Sequence, residues 1–248
     1  MKHEILAPGI EIYQGDCLKI LPTFRDIDMI ITSPPYFNAR DYSSWKTYGD
    51  YLLFIEEFLF KSRLVLKNSG RIAINIPDGY SRNPWIPMYA DYCKLLQKKQ
   101  FVLRGSIVWH KMNGGGKTSW GSWRSSSNPC IIDEHEMIII AHKINPKIEN
   151  GTEMGKDEFF NAIHSVWKIK PEFSRAHPAP FPVELPLRLI KFLSGVNSTI
   201  VDPFMGSGTT GLACIETKRH FIGIEKLEPY YELAKKRIKG KLMQPKLL

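Results

Sequence analysis

Cysteine is scarce and unpatterned in this chain: Cys17, Cys93, Cys130 and Cys214 are the four among 248 residues, and they have no metal-ligand spacing. That excludes a disulfide-framed secreted module and points to a reducing cytoplasm, where the protein is expected to reside. The seven histidines form no nucleophile or ligand pattern, so no metal is expected. His135, between Glu134 and Glu136, reads as a strand-entry residue rather than a base. No apolar run approaches the roughly 18 residues of a membrane helix, and residues 1–9 are short and mixed, so neither a membrane span nor a cleavable signal is expected. Negative charge is also in short supply. With 25 acidic against 34 basic residues the formal charge is +9, which suits a polyanionic partner although many soluble proteins share it. The length suits one α/β domain with a sizeable core.

What is present is sharper. The apolar run Ile27-Asp28-Met29-Ile30-Ile31 ends in Thr32-Ser33-Pro34-Pro35-Tyr36, a buried strand stopping in a rigid polar turn. Each proline fixes its own φ and lacks an N–H, and Pro35 pushes Pro34 into an extended conformation, so the carbonyls here are held outward. Ser33 offers a hydroxyl acceptor, Pro34 a carbonyl and Tyr36 an aromatic face, which together suit an exocyclic amino group on a stacked nucleobase. An ordinary strand-to-loop turn is the bland alternative.

Far downstream, a strand over 199–202 runs through Pro203, Phe204 and Met205 into Gly206-Ser207-Gly208-Thr209-Thr210-Gly211 and a helix. The three glycines meet the G-x-G-x-x-G spacing, in which missing side chains let a ligand approach the backbone at a helix N-terminus. About 20 residues on, the strand 220–225 ends in Glu225, where ribose hydroxyls are bound in such folds. A ribose-bearing cofactor follows, against the alternatives of a packing turn and a solvated strand end.

Seven candidate strands lie at 11–14, 28–32, 71–76, 102–109, 136–142, 199–202 and 220–225, with helical patterns at 49–66, 87–99, 183–193, 208–216 and 228–239 between them. Alternation of this kind predicts crossover units and a mainly parallel sheet. The basic run Lys235, Lys236, Arg237, Lys239 and Lys241 reads as a solvated helix face.

Ser33-Pro34-Pro35-Tyr36 together with Asp202-Pro203-Phe204-Met205-Gly206-Ser207-Gly208-Thr209 resembles the amino-methylating DNA methyltransferases that use S-adenosylmethionine. The catalytic-type motif precedes the cofactor-type motif, which is similar to the circularly permuted beta group of that family. Gly15-Asp16-Cys17 and His177-Pro178-Ala179-Pro180-Phe181-Pro182 also match the family pattern, so the resemblance spans most of the chain. Serine at position 33 is similar to the cytosine-N4 subgroup, whereas the adenine-N6 subgroup usually carries Asp or Asn there.

The resemblance implies one catalytic domain over 1–248 with a Rossmann-like, seven-stranded sheet, its two C-terminal strands beside 11–14. It implies Ser33, Pro34, Pro35 and Tyr36 as catalytic residues. Cofactor contacts would come from Asp16, Cys17, Thr32, His177, Phe181, Asp202, Pro203, Phe204, Gly206, Ser207, Gly208, Thr209, Thr210, Glu225 and Lys226. Asp16 would meet the adenine amino group, Glu225 the ribose and the 202–210 turn the methionine end. Double-stranded DNA is the implied substrate, with a flipped-out base and a restriction endonuclease as functional counterpart.

Three stretches read as candidate DNA-recognition loops: 37–48, with Arg40, Trp45 and Lys46; 111–128, in which Lys111, Lys117, Trp120, Trp123 and Arg124 interleave cations with aromatics; and 143–175. Solubilising loops are the alternative. Competing functions are an adenine-N6 methyltransferase on the same fold, a nicotinamide-dependent dehydrogenase built on the same glycine spacing, and a non-catalytic DNA-binding module. The dehydrogenase predicts no proline-paired aromatic turn.

Overall fold

Apolar residues at every position of a strand require cover on both faces, and the architecture follows from that need. The computed structural model describes residues 2–37, 45–80, 84–112, 121–148, 151–172 and 182–244. Among them nine strands form one sheet: β1 (Lys2–Ala7), β2 (Ile10–Gln14), β3 (Ile27–Thr32), β4 (Leu66–Ile76), β5 (Val102–His110), β6 (His135–His142), β7 (Val166–Lys168), β8 (Thr199–Asp202) and β9 (His220–Glu225). Their spatial order is β1-β2-β9-β8-β3-β4-β6-β5-β7. Five of the eight neighbouring pairs are parallel and three antiparallel, so the sheet is mainly parallel, and the C-terminal strands β8 and β9 lie between β2 and β3 as expected.

Successive residues of β3 serve opposite layers. Met29 and Ile31 join a core cluster with helices α5 (Glu184–Leu193), α6 (Thr209–Glu216) and α7 (Glu228–Met243). Ile30 joins the other cluster, with α1 (Cys17–Ile20), α2 (Tyr48–Val65) and α3 (Met88–Lys98). Helix α2 starts where Thr47 accepts from Asp50 N and Asp50 accepts from Thr47 N, a reciprocal cap that fixes the end of the preceding loop.

The sheet carries two strands beyond the seven expected. Pro8 and Gly9, the latter at φ +74°, turn β1 back onto β2 as a two-residue hairpin. Proline then glycine is the signature of such a turn, and the short mixed segment before it conceals the strand. Residues 143–175 are not one irregular loop: among the described residues they hold α4 (Lys156–Ile163) and β7, which pairs parallel to β5. Three residues are too few for a periodic signal, and only Trp167 of β7 is buried.

The chain winds from β3 through α2 to β4 on one side and from β8 through α6 to β9 on the other. The switch in direction therefore falls between β3 and β8, the place where open α/β sheets bind ligands beyond the carboxyl ends of their strands.

Candidate active site

Four parallel strands, β2, β9, β8 and β3, end side by side at that switch, and each end carries a singled-out residue. Asp16 follows β2, Glu225 closes β9, the glycine turn follows β8 and Ser33 follows β3. Three inter-strand spacings separate the first from the last, about 14 Å in all.

The two motifs, 170 residues apart in sequence, are joined directly. Thr32 Oγ1 donates to Asp202 Oδ1 at 2.8 Å in a fully buried contact. Asp202 also accepts from Thr210 Oγ1 at 2.6 Å and from Phe204 N at 3.2 Å, so it ties β8 to β3 and to the first turn of α6. Burial pushes its carboxyl up to about 6 even though these donors favour the ionised form. This geometry makes Asp202 a bracket beneath the site rather than a group open to a ligand.

The glycine turn is held from two sides. Gly206 N donates to Glu225 Oε2 at 3.0 Å, and Glu225 Oε1 accepts from Leu227 N at 2.8 Å. Burial raises the Glu225 carboxyl above its ordinary range. Arg237 of α7 donates to Ser207 O at 2.8 Å and Ser207 Oγ at 2.6 Å, and lies 3.7 Å from Glu172. With Lys235 on Glu4 and Lys241 on Glu216, this basic run is a set of tertiary contacts and not simply a solvated face.

Gly208 sits at φ +79°, and a Cβ there would lie 3.0 Å from Ala234 Cβ; a Cβ on Gly211 would lie 2.8 Å from Phe221. These two glycines serve the turn and helix packing. Phe204 packs its ring against Phe58 of α2 at 5.1 Å, and Cys17 is a core residue whose thiol is raised by burial. Asp16 caps α1 by accepting from Leu18 N at 2.9 Å, and Lys226 is exposed beside Glu225.

On the other side of Thr32, Pro34 is buried while Ser33 and Tyr36 are half-buried. Ser33 Oγ lies 2.8 Å from Tyr36 Oη, and Tyr36 donates to Glu136 Oε2 at 3.1 Å. Asn75 Nδ2 reaches Tyr36 Oη at 3.3 Å and also bonds Glu136. Lys111 Nζ pairs with Glu136 Oε1 at 2.5 Å and lies 5.4 Å from the Trp109 ring centroid. The loop composition suggests a phosphate contact for Lys111; its ammonium instead turns inward onto Glu136.

Asn75 and Glu136 were not legible in the sequence. Both sit at the mouths of apolar strands, where a polar group needs a partner, but the partner lies on another strand. Of the expected DNA contacts, Lys46, Trp123 and Arg124 are exposed, and Trp45 is half-buried against Tyr51 and Phe54 of α2. Arg40, Lys117, Trp120, His177 and Phe181 lie outside the described residues. A groove of about 390 Å³, lined by Phe60, Arg63, Leu64, Lys98, Lys99, Gln100 and Lys143, opens between the C-terminal ends of α2 and α3. Among the described residues no His, Cys, Asp and Glu group could hold a metal, and no helix is long and apolar enough to cross a membrane.

A DNA methylase family model, that of the N6 and N4 methyltransferases, matches residues 27–236, which include the Ser33 turn, the glycine turn and Glu225. The chain belongs to the DNA methylase family. It is 31% identical over 169 residues to the type II methyltransferase M.MjaVI of Methanocaldococcus jannaschii, covering 66% of this chain and 87% of that protein. To the type II methyltransferase M2.MboI of Moraxella bovis it is 30% identical over 250 residues, covering 92% and 87%. Among solved structures, TTHA0409 of Thermus thermophilus complexed with S-adenosyl-L-methionine superposes with a TM-score of 0.74 at 25% identity, covering 94% of this chain and 96% of that one. The cytosine-N4-specific PvuII DNA methyltransferase shares the fold, with a TM-score of 0.73 at 20% identity over 96% of this methylase and 87% of the PvuII chain.

Proposed function

We propose that this methylase transfers a methyl group from S-adenosyl-L-methionine to the exocyclic N4 amino group of a cytosine flipped out of duplex DNA, as the modification half of a restriction–modification pair. The supporting observation is the meeting of the Ser33 turn and the glycine turn at one switch point, joined by Thr32 and Asp202. Relatives that are type II methyltransferases and the neighbour solved with S-adenosyl-L-methionine support methyl transfer from that cofactor to DNA.

The residues present fit that cofactor. Asp16 and Glu225 each accept one or two local N–H bonds, yet a carboxylate has about four lone-pair sites, which leaves capacity for an amino group and ribose hydroxyls. Gly206 and Gly208, at φ +49° and +79°, make the tight turn that would hold the amino-acid end. When bound, the cofactor supplies an electrophilic sulfonium methyl. One domain over 1–248 carries the chemistry, with 37–48, 111–128 and 143–175 as the stretches that bring recognition surfaces.

Ser33 Oγ and the Pro34 carbonyl accept the two amino hydrogens of the base. This draws the nitrogen lone pair out of conjugation and favours the positive charge that develops on nitrogen. The Tyr36 ring stacks on the base and holds its amine in line for displacement. A base within the duplex cannot reach this position, so it is extruded, and the unstacking is offset by these contacts and by phosphate contacts from the basic surface. No covalent enzyme intermediate is required. Serine at position 33 favours cytosine over adenine as the target.

The test is transfer of labelled methyl from S-adenosyl-L-methionine into mixed-sequence duplex DNA by wild type and Ser33→Ala. Label in DNA with wild type and its loss with the variant, cofactor affinity being retained, is expected. Cofactor binding without label in DNA would overturn the proposal.

A further inference from the structure

Tyr36 carries one hydroxyl proton, and three polar groups that bond its hydroxyl show where that proton goes. Glu136 Oε2, at 3.1 Å, belongs to a carboxylate ion-paired with Lys111 and can only accept. Asn75 presents its amide nitrogen, which can only donate; a flipped amide would set its oxygen against the carboxylate. The Tyr36 proton therefore goes to Glu136, and Ser33, 2.8 Å away, must donate its own proton to Tyr36. The Ser33 lone pairs are then what faces the ligand.

We propose that Glu136, held by Lys111, is a positioning residue that acts through Tyr36 to lock Ser33 as a hydrogen-bond acceptor. The site thereby selects bases that offer an amino group over those that offer a carbonyl at the same place. This rests on the methyl-transfer function above and assigns a role to residues outside its motifs. Reversing the chain would turn the Ser33 proton outward, against the amino hydrogens. That arrangement becomes available when Glu136 loses its obligatory acceptor character. Each hydroxyl in the chain also polarises the next, so the carboxylate strengthens Ser33 as an acceptor. Glu136 is 12% exposed and Lys111 25%, so the pair is shielded at the mouth of β6.

The test is a double-mutant cycle on single-turnover methyl transfer to duplex DNA, using Glu136→Gln, Tyr36→Phe and the double variant, with cofactor affinity titrated for each. Glutamine keeps the shape of the side chain but can donate as well as accept, and phenylalanine keeps the ring that stacks. Each single variant is expected to lose about tenfold in rate with cofactor affinity retained, the scale of one hydrogen bond to a charged group. The double variant should be no slower than Tyr36→Phe alone, because the chain is already broken there. Losses that multiply to about a hundredfold, or that fall on cofactor affinity, would overturn the proposal. A wild type that methylates no base would overturn the functional assignment itself, and that failure is visible before any variant is compared.

Discussion

Tyr36 lies in the turn after β3 while Glu225 closes β9, so the effects of changing them should separate. Tyr36→Ala should lower methyl transfer at least about a hundredfold, roughly the scale of a lost stacking contact plus misplacement, while cofactor affinity stays nearly intact. Glu225→Ala should do the reverse, weakening the cofactor at least about tenfold because the proposed ribose acceptor and the Gly206 anchor go together. Parallel rate and titration measurements check both, and equal loss of both quantities in Tyr36→Ala would contradict a base-stacking role. Asp202 makes a pH prediction. Its folded pKa, about 6 against 3.8, is raised by burial, so its contribution to stability is present below pH 3.8 and lost as pH rises through 6. Asp202→Asn should therefore gain on wild type between those limits, by roughly 2 of the roughly 3 kcal/mol that the full shift carries. Urea unfolding at the two pH values measures it, and a difference that does not change with pH would contradict it. The residues of the two turns were legible because proline and glycine constrain the backbone in ways visible without a fold. Asn75 and Glu136 were not, since they meet Tyr36 across 39 and 100 residues of chain.

At the scale of elements, the glycine turn depends on α7 as much as on its own sequence. Arg237 bonds Ser207, and Ala234 closes over Gly208. Gly208→Ala places a methyl group 3.0 Å from Ala234 Cβ at a φ of +79°. It should cost about 1–2 kcal/mol of stability and weaken the cofactor. Thermal unfolding and cofactor titration check this; unchanged values would show that the turn tolerates a side chain. Strands such as β8 and β9 were legible to the residue, because a continuous apolar run ends in a polar turn or carboxylate. β1 and β7 were not: an edge strand needs only one buried face, and three residues carry no period. The Pro8-Gly9 pair marks a turn, but a turn alone does not specify a strand before it.

For the whole molecule, the permuted motif order and the sheet order agree. Because β8 and β9 insert between β2 and β3, residues from both ends of the chain converge on one edge. The formal charge of +9 suits a polyanionic partner, and affinity for duplex DNA should fall steeply with salt. A loss of roughly a thousandfold between about 50 and 200 mM salt would correspond to some six phosphate contacts, and affinity independent of salt would contradict backbone binding. Which loops touch DNA was not legible, because irregular segments have no period from which to read their placement.

Ser33 and its carbonyl neighbour are proposed to accept the amino hydrogens of a cytosine. The most direct measurement is the identity of the nucleoside that carries the methyl group after wild-type protein has acted on mixed-sequence duplex DNA, established by digestion and mass spectrometry. N4-methylcytosine is the expected product. N6-methyladenine as the sole product would keep the fold and the mechanism but contradict the assignment of the base.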